Sequence, residues 1–288
     1  MTQRRAIFIT GGGSGIGRAV AQLFGARGWF IGLADIDEAG MAATEALLPG
    51  GYSFSVKLDV RDRAGWDAAL DSFSIAAGGR IDVLFNNAGI PLGGLIVENS
   101  SEEIERCLDI NLKGVIFGAQ AAYPHLKKTA PGSCLLNTAS AAGIYGTGGA
   151  SIYSATKFGV RALTESLDAE WAADGIKVCD LMPSFIDTPL LDHAPNQGSN
   201  EAIRDRVREA GLELTSVGEV AEAAWAAVNG ERLHTVVGKT ARSLAFSARW
   251  MPGLLRKQSR KMSRALGDRK STRLNSSHER RSRMPSSA

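Results

Sequence analysis

Nowhere in these 288 residues is there a run of about 18 apolar side chains, so no transmembrane helix is expected. Cysteine is scarce: Cys107, Cys134 and Cys179 lie far apart and no C-x-x-C pair occurs. That argues against a disulfide framework or a structural zinc site, and suits a reducing, cytoplasmic setting. Histidine is scarce too. His125, His193 and His234 show no ligand spacing, so no metal is expected and they read as surface or loop residues. The basic start, Met1 to Arg5, is followed by Ala6-Ile7-Phe8-Ile9 and imitates a signal peptide. Glycines break that apolar stretch after four residues, too short for the hydrophobic region of an export signal.

A basic surplus is only nominally present. The formal net charge is +3, but residues 268–288 read DRKSTRLNSSHERRSRMPSSA, which resembles a translated short-read sequencing adapter on both flanks of a short index. The ordinary alternative is a disordered basic tail. The segment holds six Lys/Arg and two Asp/Glu; without it the chain carries 27 basic and 28 acidic residues. The pI therefore signals no affinity for nucleic acid. A second asymmetry remains. Residues 239–267 contain eight basic residues and no acidic one, leaving residues 1–238 with 19 basic and 28 acidic groups, a net of −9. Such a segment docks on its own acidic body, on a partner subunit, or weakly on an anionic membrane surface.

What is present is an alternation. The strand-like runs are 5–10, 30–35, 52–58, 81–85, 133–138, 176–182 and 235–238. Helical stretches lie between them, including 15–28 and 104–126, the latter led by the capping box Ser100-x-x-Glu103. Strict alternation predicts a parallel sheet covered on both faces, and continuous apolar strands fit burial on both sides. No repeat or linker divides residues 1–238. The expected fold is α/β: one doubly wound, Rossmann-type domain of three layers, α/β/α, over 1–238. A basic amphipathic helical extension over 239–267 follows, then the adapter-like 268–288. In the extension, Leu244, Ala248 and Met251 recur at helical spacing before Pro252, which should end or kink the helix. Leu255, Met262 and Leu266 continue the stripe opposite Arg256, Arg260 and Arg264. Docking near the cleft of the acidic body is the favoured expectation for this segment.

Thr10-Gly11-Gly12-Gly13-Ser14-Gly15-Ile16-Gly17 joins the first strand to the first helix. Glycines there allow a sharp turn and a close approach to a pyrophosphate, met by helix N-terminal amides. In this setting the nucleotide reading outweighs that of a glycine-rich hairpin. Asp35 ends the second strand, where a carboxylate accepts from both ribose hydroxyls and repels a 2′-phosphate. Position 14 is Ser and position 36 is Ile, so no cation welcomes that phosphate. The bland alternative for Asp35 is a solvated helix cap, since Asp37 and Glu38 follow. Tyr153-Ser154-Ala155-Thr156-Lys157 sets a phenol and an ammonium on one helix face. Four tyrosines and ten lysines produce about 0.14 such matches by chance. The pair gains weight from Ser140, 13 residues earlier after a strand, and from Asn86-Asn87-Ala88-Gly89 and Asn111. Trp66, Trp171, Trp225 and Trp250 fall in helical stretches and read as packing anchors.

Over residues 4–238 this set resembles the short-chain dehydrogenase/reductase family of the single-domain kind. The resemblance rests on Thr10-Gly11-x-x-x-Gly15-x-Gly17, Asp59-Val60, Asn86-Asn87-Ala88-Gly89, Asn111, Ser140 and Tyr153-x-x-x-Lys157, in order and at family spacing. It implies a catalytic set of Asn111, Ser140, Tyr153 and Lys157. It implies cofactor contacts from Thr10, Gly11, Ser14, Gly15, Ile16, Gly17, Asp35, Asp59, Val60, Asn87, Ala88, Gly89, Tyr153, Lys157, Pro183, Ile186 and Thr188. Asp59 and Val60 would border the adenine, and Thr188 the nicotinamide carboxamide. In the family, the lysine also grips the nicotinamide ribose and the asparagine holds a water in a proton relay. The family usually has Pro-Gly where this chain has Pro183-Ser184, which would alter the pocket floor. The resemblance also implies a homodimer or homotetramer paired through 104–126 and 151–174, where Val160, Leu163 and Leu167 fit either a core or an interface.

The mechanism follows physically. A free phenol titrates near 10, and an ammonium at Lys157 should favour the phenolate of Tyr153. Ser140 would donate to the substrate oxygen as charge develops. The expected reaction moves a hydride between NAD(H) and a small, moderately hydrophobic secondary alcohol or ketone. Substrate contacts are expected from 143–146, 91–95 and 184–214, the last holding Phe185, Pro189, Leu190, Leu191, Ile203 and Val207. The rivals are an NADP-dependent carbonyl or ketoacyl reductase, a non-catalytic dinucleotide sensor, and a peripheral membrane module centred on 239–267.

Overall fold

A computed structural model describes residues 4–261. The expectations for Met262, Arg264, Leu266 and residues 268–288 lie outside it. Seven strands form one parallel sheet: β1 (Ala6–Thr10), β2 (Phe30–Asp35), β3 (Ser53–Lys57), β4 (Val83–Asn86), β5 (Cys134–Thr138), β6 (Lys177–Pro183) and β7 (His234–Val237). Their order is β3-β2-β1-β4-β5-β6-β7, so the chain reverses direction across the sheet between β1 and β4. Crossover helices are α1 (Gly15–Ala26), α2 (Glu38–Glu45), α3 (Arg63–Ala76), α4 (Ser101–Leu108), α5 (Gly114–Thr129), α6 (Ser151–Trp171), α7 (Ile203–Glu209) and α8 (Val217–Asn229). Then come α9 (Lys239–Trp250) and α10 (252–261). No helix of the described residues is long and apolar enough to cross a membrane.

Alternate side chains of each strand enter opposite layers. Ile7, Ile9, Ile31 and Leu33 pack under α1 and α8 with Val20, Phe24, Val220 and Ala224. Ala6, Phe8, Leu84 and Leu135 pack under α3, α5 and α6 with Trp66, Leu70, Phe73, Ala122 and Trp171. Both faces are therefore dry, which is why the strands read as continuous apolar runs. Trp66 is fully buried and its Nε1–H donates to the Val60 carbonyl at 3.0 Å. Truncating such a side chain to Ala costs about 3–5 kcal/mol.

The expected strands appear within one or two residues of their positions. The single helix expected over 104–126 is three pieces: α4, capped by Ser100 and Glu103 as anticipated, a π-helical turn Asp109–Lys113, then α5. Trp66 and Trp171 are buried and Trp225 meets Trp29 and Phe24 edge-on, but Trp250 is 64% exposed and anchors nothing. It ends α9, where no layer lies above it. Two histidines are not surface residues. His125 is buried in α5, and His234 sits in β7 between Asp180 (3.0 Å) and Glu165 (3.1 Å). Val160 and Leu167 are buried and Leu163 packs on the core, so these three belong to the interior. Helix α9 stops at Met251 and α10 begins at Pro252, as a residue without an amide proton dictates.

Candidate active site

All six βα or strand-end segments that bear the expected site residues meet at the carboxyl edge of the sheet. This is the edge beside the β1/β4 reversal, where ligands of doubly wound sheets bind. A cleft of about 2230 Å³ opens there. A pocket for one ligand holds about 300–1,000 Å³, so this one accommodates a dinucleotide and a substrate together.

At its nucleotide end, Gly11 and Gly15 adopt φ of +68° and +51°, which side chains rarely tolerate. A Cβ on Gly17 would strike the Gly11 carbonyl, so the first helix can approach the turn only with glycine there. The cradle is thus shaped for a pyrophosphate. Asn87 braces it: its side chain donates to the Thr10 carbonyl at 2.9 Å, while the amides of Asn87 and Ala88 donate to Thr10 Oγ1. Asp35 Oδ2 accepts from the Gly13 amide at 2.9 Å, so the carboxylate at the end of β2 and the turn are one unit. Arg18 does not face a 2′-phosphate freely, because its guanidinium donates to the Gly13 and Gly40 carbonyls and to Thr44. After β3, Asp59 is gripped by Arg61, whose hydrogen bonds hold its carboxyl below the usual carboxylate range.

The chemical end is assembled from β5 and α6. Ser140 follows β5, its Oγ accepting from the Ala142 amide at 3.1 Å and reaching the Pro183 carbonyl at 3.5 Å. Tyr153 and Lys157 project from the first turns of α6. A buried relay positions that helix on the sheet: Asn86 donates to Asn137, Asn137 to Thr164, and Thr164 to the Val160 carbonyl. Burial pushes the Tyr153 phenol above its ordinary value, and the Ser140 hydroxyl, hydrogen-bonded to it, works in the opposite direction. Burial also pulls Lys157 down to about 8. The acidification of Tyr153 expected from Lys157 is not among the causes of the phenol's shift: the Lys157 Nζ lies 5.6 Å from the ring centroid and donates to the Thr138 carbonyl at 2.8 Å.

Most expected residues line the cleft: Gly11, Ser14, Gly15, Ile16, Asp35, Asp59, Val60, Asn87, Ala88, Gly89, Ser140, Tyr153, Lys157, Pro183, Ile186 and Thr188. Thr10, Gly17 and Asn111 do not. Asn111, fully buried in the π-helical turn, spends its side chain on Ile90, accepting from its amide and donating to its carbonyl, both at 2.8 Å. Of the loop 143–146 only Tyr145 and Gly146 reach the cleft. Gly143 lies against the Lys157 backbone and Ile144 on the core. The Ser184 hydroxyl is buried without a partner among the described residues, and Gly238 leaves it room.

Several groups in or beside the cleft escaped the sequence. Cys107 lies under Asn111, its thiol raised to about 11 by burial. Arg204 of α7 bonds Asp192, Asp187 and the Thr188 carbonyl, tying α7 to the segment that follows β6. His193 also faces the cleft, and α9 and α10 supply a wall through Leu244, Ser247, Leu255 and Gln258. That placement is the docking near the cleft expected for this segment, and the stripe of Leu244 and Leu255 supplies it. The wall is not held by charge: of the basic residues 239–261, only Lys239 has an ion-pair partner among the described residues, Glu213 at 3.3 Å.

Residues 5–198 match the short chain dehydrogenase family. The chain is 34% identical to the meso-2,3-butanediol dehydrogenase of Serratia marcescens over 205 residues, covering 71% of this chain and 78% of that one. It is 37% identical to a 3-alpha-(or 20-beta)-hydroxysteroid dehydrogenase of Mycobacterium bovis, covering 66% and 72%. A short chain dehydrogenase/reductase of Burkholderia phymatum, solved in complex with NAD, superposes with a TM-score of 0.76 at 28% identity, covering 85% of this chain and 94% of that one. Given the parallel seven-stranded sheet, the glycine cradle and the Ser140/Tyr153/Lys157 grouping, the chain belongs to the short-chain dehydrogenase/reductase family of oxidoreductases acting on CH–OH groups.

Proposed function

We propose that the chain transfers a hydride between NAD(H) and an uncharged, moderately hydrophobic secondary alcohol or its ketone, with Tyr153 as the acid/base. The observation that carries this reading is the meeting of the Tyr153 and Ser140 hydroxyls beside buried Lys157, in the cleft that the glycine cradle enters. The nicotinamide, when bound, supplies the hydride acceptor or donor. Tyr153 holds or delivers the proton at its phenolic oxygen, Ser140 donates to the substrate oxygen, and Lys157 supplies a positive charge in a dry site. Asn111 acts at one remove, by pinning the Ile90 backbone. Thr10, Gly11, Ser14, Gly15, Ile16 and Gly17 shape the pyrophosphate cradle, Asp35 takes the ribose, Asp59 and Val60 flank the adenine, and Asn87, Ala88, Gly89, Pro183, Ile186 and Thr188 border the nicotinamide.

The preference for NAD over NADP rests on Asp35, a carboxylate at the end of β2 that would repel a 2′-phosphate, with Arg18 engaged by backbone carbonyls. Apolar walls from Leu92, Phe185, Leu191, Val207 and Leu255 support a hydrophobic substrate. We assign the catalytic body to 1–238 and an accessory wall to 239–267, in a cytoplasmic homo-oligomer. Exposed Leu108 and Phe158 on α4 and α6 support pairing through those helices. The test is an NAD⁺-reduction screen over a panel of alcohols including steroid-like and aryl ones. Absence of turnover with every alcohol would overturn the reading.

A further inference from the structure

The C-terminal helices have two faces of different chemistry. Inward, Ala241 and Leu255 are buried and Leu244 lines the cleft. Outward, Phe246 and Trp250, one helical turn apart, are 59% and 64% exposed, and Met251 and Leu254 add 39% and 51%. Four large apolar side chains thus face solvent within nine residues, a concentration that a water-exposed surface rarely carries without use. Exposed Arg242, Arg249, Arg256, Lys257, Arg260 and Lys261 surround them, with no acidic residue in 239–261. None of these six has an ion-pair partner among the described residues, and the Arg249 guanidinium sits 5.4 Å from the Trp250 ring centre.

We propose that this outward face of α9 and α10 docks on an anionic lipid bilayer. Apolar and aromatic side chains flanked by cations are the composition of helices that lie in the interface plane, with tryptophan at headgroup depth. A second copy of the chain fits less well, because the core of a protein interface is depleted of charge, of lysine above all, whereas here the cations are interleaved with the apolar groups. The geometry adds a consequence, which rests on the alcohol/ketone reading above. The opposite face of the same helices walls the cleft, so docking brings the cleft within one helix diameter, ~10 Å, of the bilayer, and the substrate class becomes a lipophilic secondary alcohol or ketone partitioned in it.

The test is sedimentation of the full chain with vesicles of phosphatidylcholine alone or mixed with phosphatidylglycerol. The wild type should sediment with the mixed vesicles, weakly with the neutral ones, and less as salt rises. Phe246→Ser/Trp250→Ser should lose at least about tenfold in vesicle affinity, with unchanged thermal melting and unchanged turnover of a short, water-soluble alcohol. Arg242→Gln/Arg249→Gln should lose the preference for the anionic vesicles. A wild type that stays in the supernatant, or a serine variant that binds like wild type through charge alone, overturns the proposal. So does a fall in oligomer mass by light scattering in the serine variant without any vesicle effect, which would make the face a contact between copies. If no alcohol is turned over at all, the substrate reading falls while the sedimentation result stands.

Discussion

Asp35 Oδ2 accepts the amide of Gly13 at 2.9 Å across 22 residues of sequence, and Oδ1 accepts the amide of Asp37 at 3.1 Å. A carboxylate has about four acceptor sites, so two remain for ribose hydroxyls. Asp35→Ala removes those acceptors, the charge that repels a 2′-phosphate, and the clamp on the glycine turn. Hydrogen bonds to charged groups contribute about 1.5–3 kcal/mol, so KM for NAD should rise about tenfold or more while use of NADP improves. Steady-state kinetics with both cofactors checks this. A wild type that already prefers NADP would sink it.

Tyr153→Phe keeps the ring in its slot and removes only the proton-transfer group. Turnover should fall by about 10²–10⁴-fold with NADH binding nearly intact. Ser140→Ala should lower kcat by about 10²-fold with little change in cofactor affinity. Fluorescence titration with NADH separates the two effects, and a selective loss of cofactor binding in Ser140→Ala contradicts its assignment.

Because burial holds Tyr153 above an ordinary phenol, its neutral form dominates around pH 7. That form donates a proton to a ketone oxygen, whereas taking a proton from an alcohol needs the phenolate. Alcohol oxidation should therefore climb as pH rises from neutral into the alkaline range, and ketone reduction should decline. Parallel pH profiles of kcat/KM in the two directions test the assignment, and a reversed order excludes Tyr153 as the titrating group.

Lys157 is a buried cation lowered from 10.5 to about 8 by desolvation. Its folded state binds fewer protons than its unfolded state between those values, so stability rises with pH across that window. Below about 8 the full penalty is present. Lys157→Met should accordingly abolish turnover yet stabilise the fold by about 1–3 kcal/mol at pH 7, a gain that shrinks towards pH 10. Denaturant melts at the two pH values measure it. Equal destabilisation at both would mean that the bond to the Thr138 carbonyl outweighs the desolvation.

Truncation after Gly238 removes the cleft wall built by Leu244, Ser247, Leu255 and Gln258. Substrate KM should rise about tenfold, the scale of one or two lost apolar contacts, with NAD affinity kept. Truncation after Gly267 removes only the adapter-like residues and should change neither activity nor melting temperature. Loss of activity in that longer form would show that 268–288 is genuine sequence with a role.

Much of the fold was legible because its signals are local. Ile7-Phe8-Ile9 and Leu84-Phe85 announce strands buried on both faces, Ser100 and Glu103 announce a helix start, and Pro252 a helix stop, since each acts through its own backbone or its nearest turn. That Ser140, Tyr153 and Lys157 would meet in one cleft was legible for the same reason in reverse. A phenol and an ammonium four residues apart, and glycines at fixed offsets, have few other uses in that order.

By itself the sequence determined the parallel sheet, the cradle and the identity of Ser140, Tyr153 and Lys157. Tertiary structure alone decided that Asn111 serves Ile90 rather than lining the cleft, that Arg204 ties α7 to the segment after β6, and that His234 is held between Asp180 and Glu165. It also decided that Trp250 faces solvent while Leu255 is buried. Spacing along a chain states which side chains share a face. It does not state what that face meets, because partners tens of residues away are brought there by the packing of whole layers, and burial, not proximity in sequence, then sets the direction in which Tyr153 and Lys157 shift.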